Sequence, residues 1–196
     1  MITRAKAAYH ATSSVKARAL DAAARILAAQ GVEQLNLRSI AEAAGIGTGS
    51  IYHYFESKDE LLLNLALMGF EDLRRDILQQ QADPKYGSPM RGAARAFLTL
   101  VGERQALFSV MFSERLLAGF EQLREAEQRA FEAYRRAVLT DGRIPPEHQE
   151  DAALAIWALG RGIAAVIHSY PQGKAPPEVV ERLLAGGRYL IERSAA

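Results

Sequence analysis

The chain has 196 residues, of which 49% are hydrophobic and 24% charged, an ordinary globular composition for one or two domains that argues against a disordered chain. Its 24 Lys and Arg and 23 Asp and Glu leave a formal net charge of +1, so the overall charge indicates no polyanionic partner. The sequence contains no cysteine, which excludes disulfides, thiol nucleophiles, zinc–thiolate sites and iron–sulfur clusters within it.

The composition predicts a soluble, cytoplasmic protein without a signal peptide or a membrane span. Residues 1–15 are polar and rich in small side chains, and they lack the continuous apolar segment of a signal peptide. The longest apolar stretch, residues 152–167, is interrupted by Gly160, Arg161 and Gly162. It is shorter than the roughly 20 residues that a bilayer requires.

Apolar residues recur with helical spacing through most of the chain, and this pattern predicts an all-α fold. The first predicted helix covers residues 14–30 and ends at Gly31. Asn36 is a good N-cap for a short second helix that ends at Gly45, and a third short helix covers residues 48–54. The sequence therefore predicts a small three-helix domain at the N-terminus.

The sequence Ser-Lys-Asp-Glu at 57–60 is typical of a capping box, and it predicts a long fourth helix that continues to about residue 81. The breaker-rich segment 83–89 (DPKYGSP) marks a boundary to a C-terminal helical bundle. We therefore predict a division into residues 1–56, 57–82 and 83–196. The last part is predicted to contain helices at about 89–102, 104–117, 119–140, 146–169 and 177–193.

Residues 36–58 predict a helix-turn-helix. Ala41 and Ala44 are small where two helices must approach closely, and Gly45 supplies the turn. In such a motif the second helix enters the major groove and places its N-terminal residues near the base edges. The exposed positions of that helix contain no acidic residue and offer small or flat hydrogen-bonding side chains: Thr48, Gly49, Ser50, Tyr52 and His53.

This stretch resembles the DNA-binding region of the TetR family of bacterial transcriptional regulators over about residues 15–62. The resemblance is carried by the helix ending at Gly31, the run Ile40-Ala41-x-x-Ala44-Gly45 and above all Ile51-Tyr52-His53-Tyr54-Phe55-x-Ser57-Lys58. It implies that Tyr52 and His53 contact the DNA backbone and bases, and that Lys58 contacts phosphate. Gly47 stands where the family usually has Ser or Thr. The candidate DNA-binding residues are Asn36, Arg38, Thr48, Gly49, Ser50, Tyr52, His53 and Lys58.

Two further features of the N-terminal part leave alternatives open. Residues 1–20 hold Arg4, Lys6, Lys16 and Arg18 without an acidic residue, which favours either a flexible basic arm that reaches the DNA backbone or minor groove, or a merely disordered tail. The glycines at 45, 47 and 49 superficially suggest a phosphate-binding loop. No strand precedes them and their spacing is not Gly-x-Gly-x-x-Gly, so nucleotide binding is not favoured. Tyr54 and Phe55 are interpreted as core residues.

One short recognition helix would bind DNA weakly, so the motif predicts a homodimer and a palindromic operator with half-sites about one helical turn apart. Residues 152–167 are apolar on every face except at Arg161, and the last predicted helix carries a wide apolar stripe. Two such helices from each chain, at about 146–169 and 177–193, are predicted to form an intersubunit four-helix bundle, which the resemblance also implies.

Trp157, Arg161 and His168 share one face of a predicted helix. Because an unpaired buried guanidinium is very costly, we interpret Arg161 either as part of an ion pair, for example with Glu132 or Glu127, or as the anchor of an acidic or polar effector. The region looks like the Trp-His-Gly variety of TetR-family effector domain, with Arg161 in place of the histidine. Candidate effector-binding residues are Phe97, Phe108, Met111, Phe112, Phe131, Tyr134, Trp157, Arg161 and His168.

These aromatic residues could equally form a filled hydrophobic core, and a cavity of about 300 Å³ or more would favour a ligand site. The predicted function is a ligand-responsive regulator, most simply a repressor that a small-molecule effector releases from operator DNA by moving the long fourth helix. An effector-independent or activating regulator is the alternative. A helical-bundle enzyme is a remote one, because the sequence has no Glu-x-x-His pair and no His-Glu-x-x-His motif. No metal or cofactor is predicted.

Overall fold

The computed structural model describes the backbone of residues 2–171 and 175–193 and the side chains of residues 15–171, 175–187 and 189. Every regular element in these ranges is helical, so the prediction of an all-α fold is confirmed for them. The α-helices are α1 (Ile2–Gln30), α2 (Leu37–Ala44), α3 (Thr48–Tyr54), α4 (Lys58–Gln81), α5 (Pro89–Glu103), α6 (Gln105–Met111), α7 (Glu114–Gly119), α8 (Glu121–Leu139), α9 (Gln149–His168) and α10 (Pro177–Arg193). Short 3-10 turns cover Val32–Gln34, Pro84–Tyr86 and Pro146–His148.

The helix-turn-helix elements and the long fourth helix occur where the sequence predicts them, whereas two other boundaries differ. Helix α1 begins at Ile2 instead of residue 14, because the preceding residues contain several alanines and no glycine or proline. The segment predicted as one helix at 104–117 forms α6 and α7. Ser113 takes an extended conformation between them (φ −64°, ψ 117°), which interrupts the helix.

The predicted capping box at the start of α4 forms with one change of partner. The backbone N–H of Glu60 donates to Oγ of Ser57 over 3.1 Å, as the motif requires. The carboxylate of Glu60, however, accepts a hydrogen bond of 2.7 Å from the backbone N–H of Glu56 and not from that of Ser57. Both bonds satisfy backbone donors near the first turn of the helix.

The structure divides into two units, the first formed by Met1–Gly69 with Ala106–Arg124 and the second by Phe70–Gln105 with Glu125–Ala196. Residues 106–111 of α6 belong to the first unit, where they pack on the part of α4 that ends at Gly69. A Cβ placed on Gly69 would lie 2.5 Å from Sδ of Met111 and 3.3 Å from Cδ2 of Leu107. The boundaries of these two packing units differ from the predicted division into residues 1–56, 57–82 and 83–196. That division concerns the functions of the three parts and stays a prediction.

The core of the second unit is built around Trp157 of α9. Its ring lies 5.3 Å from that of Phe97, 5.7 Å from that of Phe131 and 5.6 Å from that of Tyr134, each with an edge-to-face arrangement. In the same unit, α5 approaches the end of α4 so closely that a Cβ on Gly92 would lie 2.1 Å from the backbone oxygen of Gln80. Only glycine fits at this crossing.

Among the described residues, one helical segment, Pro146–His168, has the length and mean hydropathy (1.3) of a membrane-spanning helix. Of that window, 22% is buried. A single segment of this kind is a weak indication of a membrane span, because helices in the core of a water-soluble protein meet the same criterion.

Candidate nucleic-acid interface and ligand cavity

Helix α2 begins and ends as its sequence predicts. Asn36, in an extended conformation (φ −144°, ψ 152°), caps its N-terminus, and Oδ1 of Asn36 accepts a hydrogen bond of 2.8 Å from the backbone N–H of Ser39. The helix buries Ile40 and Ala41 and ends at Gly45, whose left-handed backbone (φ 61°, ψ 41°) favours glycine. The turn into α3 therefore has one well-defined geometry.

Arg18 of α1 holds this turn from outside the motif. Its Nη2 donates to the carbonyl oxygen of Ala44 and, over 2.8 Å, to that of Gly45. A cation at the C-terminus of a helix satisfies carbonyls that lack helical partners and interacts favourably with the helix dipole. The interpretation of Arg18 as part of a flexible basic arm is therefore wrong.

The other basic residues of residues 1–20 are Arg4, Lys6 and Lys16, and the structure describes the side chain of Lys16 alone among them. Nζ of Lys16 lies 5.8 Å from the centroid of the Phe55 ring, a cation–π contact within the first unit. The side chains of Arg4 and Lys6 lie outside the described residues. The backbone from Ile2 onward belongs to α1, so the arm is not an extended segment along the described chain.

Helix α3 separates buried apolar side chains from exposed polar ones. Ile51 and the residue after the helix, Phe55, are fully buried. Tyr52 is 55% exposed, and the His53 ring lies 5.2 Å from that of the half-buried Tyr54 in an edge-to-face arrangement. The exposed residues are those that the sequence predicts for DNA contact: Thr48, Gly49, Ser50, Tyr52 and His53. Gly47 caps the helix without a side-chain hydrogen bond.

The flanking candidates have contacts within the chain. Nζ of Lys58, at the first residue of α4, donates to the carbonyl oxygen of Val32 over 2.8 Å, and this side chain is half-buried. The guanidinium of Arg38 lies 3.7 Å from the carboxylate of Glu42, and both side chains are largely exposed. An exposed pair of this kind is weak and leaves the guanidinium accessible.

Of the candidate effector residues, Phe97, Tyr134 and Trp157 line one apolar cavity of about 120 Å³ in the second unit. Phe131 packs on Trp157 without lining this cavity. Phe108, Met111 and Phe112 do not line this cavity, and their part in effector binding stays a prediction. They belong to the first unit, where Met111 packs at Gly69 and the rings of Phe108 and Phe112 lie 4.5 Å apart.

The two polar candidates on α9 are held by partners in the chain. Nη1 of Arg161 donates to Oε1 of Glu127 over 3.1 Å, and the Glu127 side chain is 18% exposed. This is the ion pair that the sequence allows, with Glu127 and not Glu132 as the partner. Nε2 of His168 lies 3.2 Å from the backbone oxygen of Val101. No cluster of metal-ligating side chains occurs within the described part of the chain.

The apolar cavity is smaller than about 300 Å³, the size that favours a ligand site on volume alone. It adjoins an open groove of about 970 Å³ that is lined by residues of α5, α8, α10 and the loop after α8. Cavity and groove share four lining residues: Ala94, Leu98, Tyr134 and Leu184. A ligand that enters the cavity therefore has room to extend into the groove.

Comparison with known proteins identifies relatives of the N-terminal part. Residues 19–65 match the family model described as bacterial regulatory proteins, tetR family. Over 69 residues, the chain is 42% identical to the HTH-type transcriptional repressor KstR2 of Mycobacterium tuberculosis, an alignment that covers 33% of this chain and 34% of the relative. The chain thus matches about a third of the length of that curated relative.

Solved structures match over nearly the whole chain. A protein of unknown function from Rhodococcus sp. RHA1 aligns with a TM-score of 0.72 and 24% identity over 93% of this chain and 96% of its own. The SmeT–triclosan complex aligns with a TM-score of 0.57 and 19% identity over 88% of this chain and 90% of its own. At these identities, both comparisons show a shared fold and nothing about shared ligands.

Proposed function

We propose that this chain, whose residues 19–65 match the tetR family of bacterial regulatory proteins, is a transcriptional regulator of that family that places α3 in the major groove of operator DNA. The observation that carries this proposal is the exposed face of α3. It presents hydroxyl, phenol and imidazole groups of Ser50, Tyr52 and His53, which suit hydrogen bonds to bases and phosphates. The buried Ile51 and Phe55 hold this face in place.

The absence of negative charge on α3 supports the same proposal. No acidic residue occurs between Gly45 and Phe55, so nothing in this segment repels phosphate. Arg38 adds an exposed guanidinium one helix earlier, and the ammonium of Lys58 uses one of its three hydrogens on the carbonyl oxygen of Val32. Asn36 is proposed to serve mainly as the cap of α2, with a DNA contact as a second role.

A homodimer is part of the proposal, because α9 exposes an apolar stripe. Leu154 is 61% exposed and Val166 42%. The exposed residues between them on the same helix are small: Ala155, Ala158, Gly162 and Ala165. Such a stripe becomes stable in water when a second surface covers it, and small residues allow close helix packing. We propose that α9 and α10 of two copies cover each other in a four-helix bundle.

A repressor that a small molecule releases from a palindromic operator is the form of regulation we propose. The curated relative of the N-terminal part carries the name of a repressor, and one structural neighbour is a complex with triclosan. If an effector weakens DNA binding by a given factor, DNA must weaken effector binding by the same factor. Calorimetry of effector binding with and without operator tests this reciprocity. We place this activity in the cytoplasm.

Selection of bound duplexes from a random library tests the DNA-binding proposal directly. We expect a palindromic consensus whose half-sites lie about one helical turn apart, or a multiple of that distance. Replacing Tyr52 and Lys58 by Ala should abolish binding to the selected duplex while the helicity and the dimer persist. Enrichment of no sequence at low ionic strength, or unchanged binding by the double variant, would contradict the proposal.

A regulator that needs no effector is the second candidate, and the small volume of the apolar cavity favours it. If no effector exists, a thermal-shift screen of small molecules should find no compound that stabilises the protein. If an effector exists, it should raise the midpoint temperature of unfolding, because it binds the folded state. Activation in place of repression depends on where the operator lies relative to a promoter. We propose no catalytic activity.

A further inference from the structure

The apolar cavity in the second unit has the size of one ring or a short alkyl group. Its volume is about 120 Å³, and its walls include Phe97, Trp157, Ile163 and Gly187. An engineered apolar cavity of about 150 Å³ in another protein holds benzene. The cavity can therefore take the apolar end of a ligand, and anything larger must continue into the groove beside it.

Tyr134 stands where the cavity meets the groove, since it lines both. The residue is 4% exposed, and burial raises the pKa of its phenol, so the hydroxyl stays protonated. No hydrogen bond joins this hydroxyl to another of the described residues. Because Tyr134 lines both spaces and its protonated hydroxyl is a hydrogen-bond donor, the position favours a ligand that carries a hydrogen-bond acceptor at this junction.

The groove beyond Tyr134 is basic. Arg91 and Arg95 are one turn apart on α5 and exposed, and neither forms an ion pair within the described residues. Arg143 also lines the groove, but it is paired with the carboxylate of Asp141 at 2.7 Å. Glu181 of α10 is the acidic residue among the lining side chains. The groove lining therefore contains two accessible guanidinium groups and one carboxylate outside ion pairs. This net positive charge favours the binding of an anion.

We infer that the effector of this regulator is an amphipathic anion, with a ring-sized apolar group in the cavity and an acidic head group beside Arg91 and Arg95. This inference rests on the proposed function, because it assigns the chemistry of the effector site. It also accounts for the small cavity, since only the apolar part of the ligand must fit there. Guanidinium groups bind carboxylates and phosphates through paired hydrogen bonds, which gives the head group its orientation.

The single tryptophan of the chain, Trp157, lines the cavity and reports its occupancy directly. Phenylbutyrate and phenylbutanol share an apolar group and differ in the charge of the head group. Titration of each probe into the full chain should change the Trp157 fluorescence. Phenylbutyrate should bind about fivefold or more tightly than phenylbutanol. The factor is modest because the arginines are exposed to solvent. Added salt should reduce this preference.

Variants of the groove separate charge recognition from general binding. Replacing both Arg91 and Arg95 by Gln should remove the preference for phenylbutyrate and leave the affinity for phenylbutanol unchanged. Glu181→Gln should tighten phenylbutyrate alone, because it removes the opposing carboxylate. The matched control is Arg136→Gln, a substitution of an exposed arginine on α8 outside the groove, which should keep the preference.

Filling the junction gives an independent test. Ala94 lines both the cavity and the groove, so Ala94→Leu should weaken both probes. Equal affinities of the two probes for the unmodified chain, no fluorescence change with either, or unaltered binding by Ala94→Leu would overturn the inference. Anisotropy with the selected duplex, on the same preparation, reports DNA binding separately. A chain that binds duplex but not phenylbutyrate contradicts the inference and leaves the proposed function intact.

Discussion

The exposed helices of the two units present opposite kinds of surface. In the first unit, α3 buries its apolar residue Ile51 and exposes hydroxyl, phenol and imidazole groups. In the second unit, α9 buries Trp157 and Ala164 on one face, yet its exposed face is also apolar, with Leu154 and Val166 prominent.

This difference indicates two different partners. A polar exposed face can stay hydrated and exchange water for the equally hydrated phosphates and bases of DNA. An apolar exposed face is stabilised when it leaves water, and in the proposed homodimer a second copy of the chain would cover it. Helices of similar periodicity thus suit the two proposed roles, recognition of nucleic acid in one unit and self-association in the other.

The largest effect is expected from charges placed on the α9 stripe. Replacing both Leu154 and Val166 by Arg should raise the dimer dissociation constant at least about 100-fold, because each buried unpaired charge is strongly unfavourable. Sedimentation equilibrium measures this constant. Gln128→Arg, at an exposed position of α8, adds a charge away from the stripe and should leave the dimer intact. A double variant that stays dimeric would place the interface elsewhere.

Substitutions at Ile51 and Tyr52, two adjacent residues of α3, should have separate effects, the first on the stability of the fold and the second on DNA binding. Ile51→Ala should lower the free energy of unfolding by about 2–5 kcal/mol, because it leaves a cavity in the core. Tyr52→Ala, at an exposed position, should change that free energy by less than about 0.5 kcal/mol. It should still weaken binding to the selected duplex by about tenfold or more. Urea unfolding and fluorescence anisotropy provide the two measurements, and a Tyr52→Ala variant with normal DNA affinity would refute the assigned role of this face.

A buried carboxylate in the second unit, paired with a partly exposed arginine, should make stability depend on pH. Asp141 is 4% exposed, and its hydrogen bond with Arg143 holds the pKa of this carboxyl below the usual range. Asp141→Asn should therefore cost about 1–3 kcal/mol at pH 7.

The sign of this pH dependence follows from the lowered pKa. The stabilisation is complete above the unfolded pKa of about 3.9 and is lost as the pH falls through the lower folded value, so the two proteins should converge in strong acid. Urea unfolding between neutral and acidic pH measures this convergence. Glu71→Gln breaks an exposed pair with Arg74 and should have a smaller effect. A constant difference between the unmodified chain and Asp141→Asn at all pH values would contradict the assignment.

The smallest effect concerns the cap of α2. Asn36→Ala should lower the free energy of unfolding by about 1 kcal/mol, whereas Asn36→Ser retains a capping oxygen and should be nearly neutral. If Asn36 acts on DNA only through the cap, the Ser variant also retains the affinity for the selected duplex. Loss of affinity without loss of stability in Asn36→Ser would instead assign Asn36 a direct contact with DNA.

The elements of the helix-turn-helix could be predicted from the sequence because their signals are local. Asn36 caps a helix through a residue three positions away, and Gly45 ends it through its own backbone conformation. The alternation of buried Ile51 with exposed Tyr52 follows from helical spacing alone. For the same reason, the sequence alone predicts that α9 is apolar on almost every face.

Contacts between distant residues were decided only by the tertiary structure. Arg18 donates a hydrogen bond to the carbonyl oxygen of Gly45, which lies 27 positions away in the sequence, and His168 contacts the backbone oxygen of Val101, which lies 67 positions away. No local sequence pattern predicts either contact. The same holds for Phe108 of α6 and for Phe112 just after it, which the sequence suggests as pocket residues and which pack against each other in the first unit. Periodicity determines which face of a helix is apolar, whereas the three-dimensional packing of the chain selects the surface that this face meets.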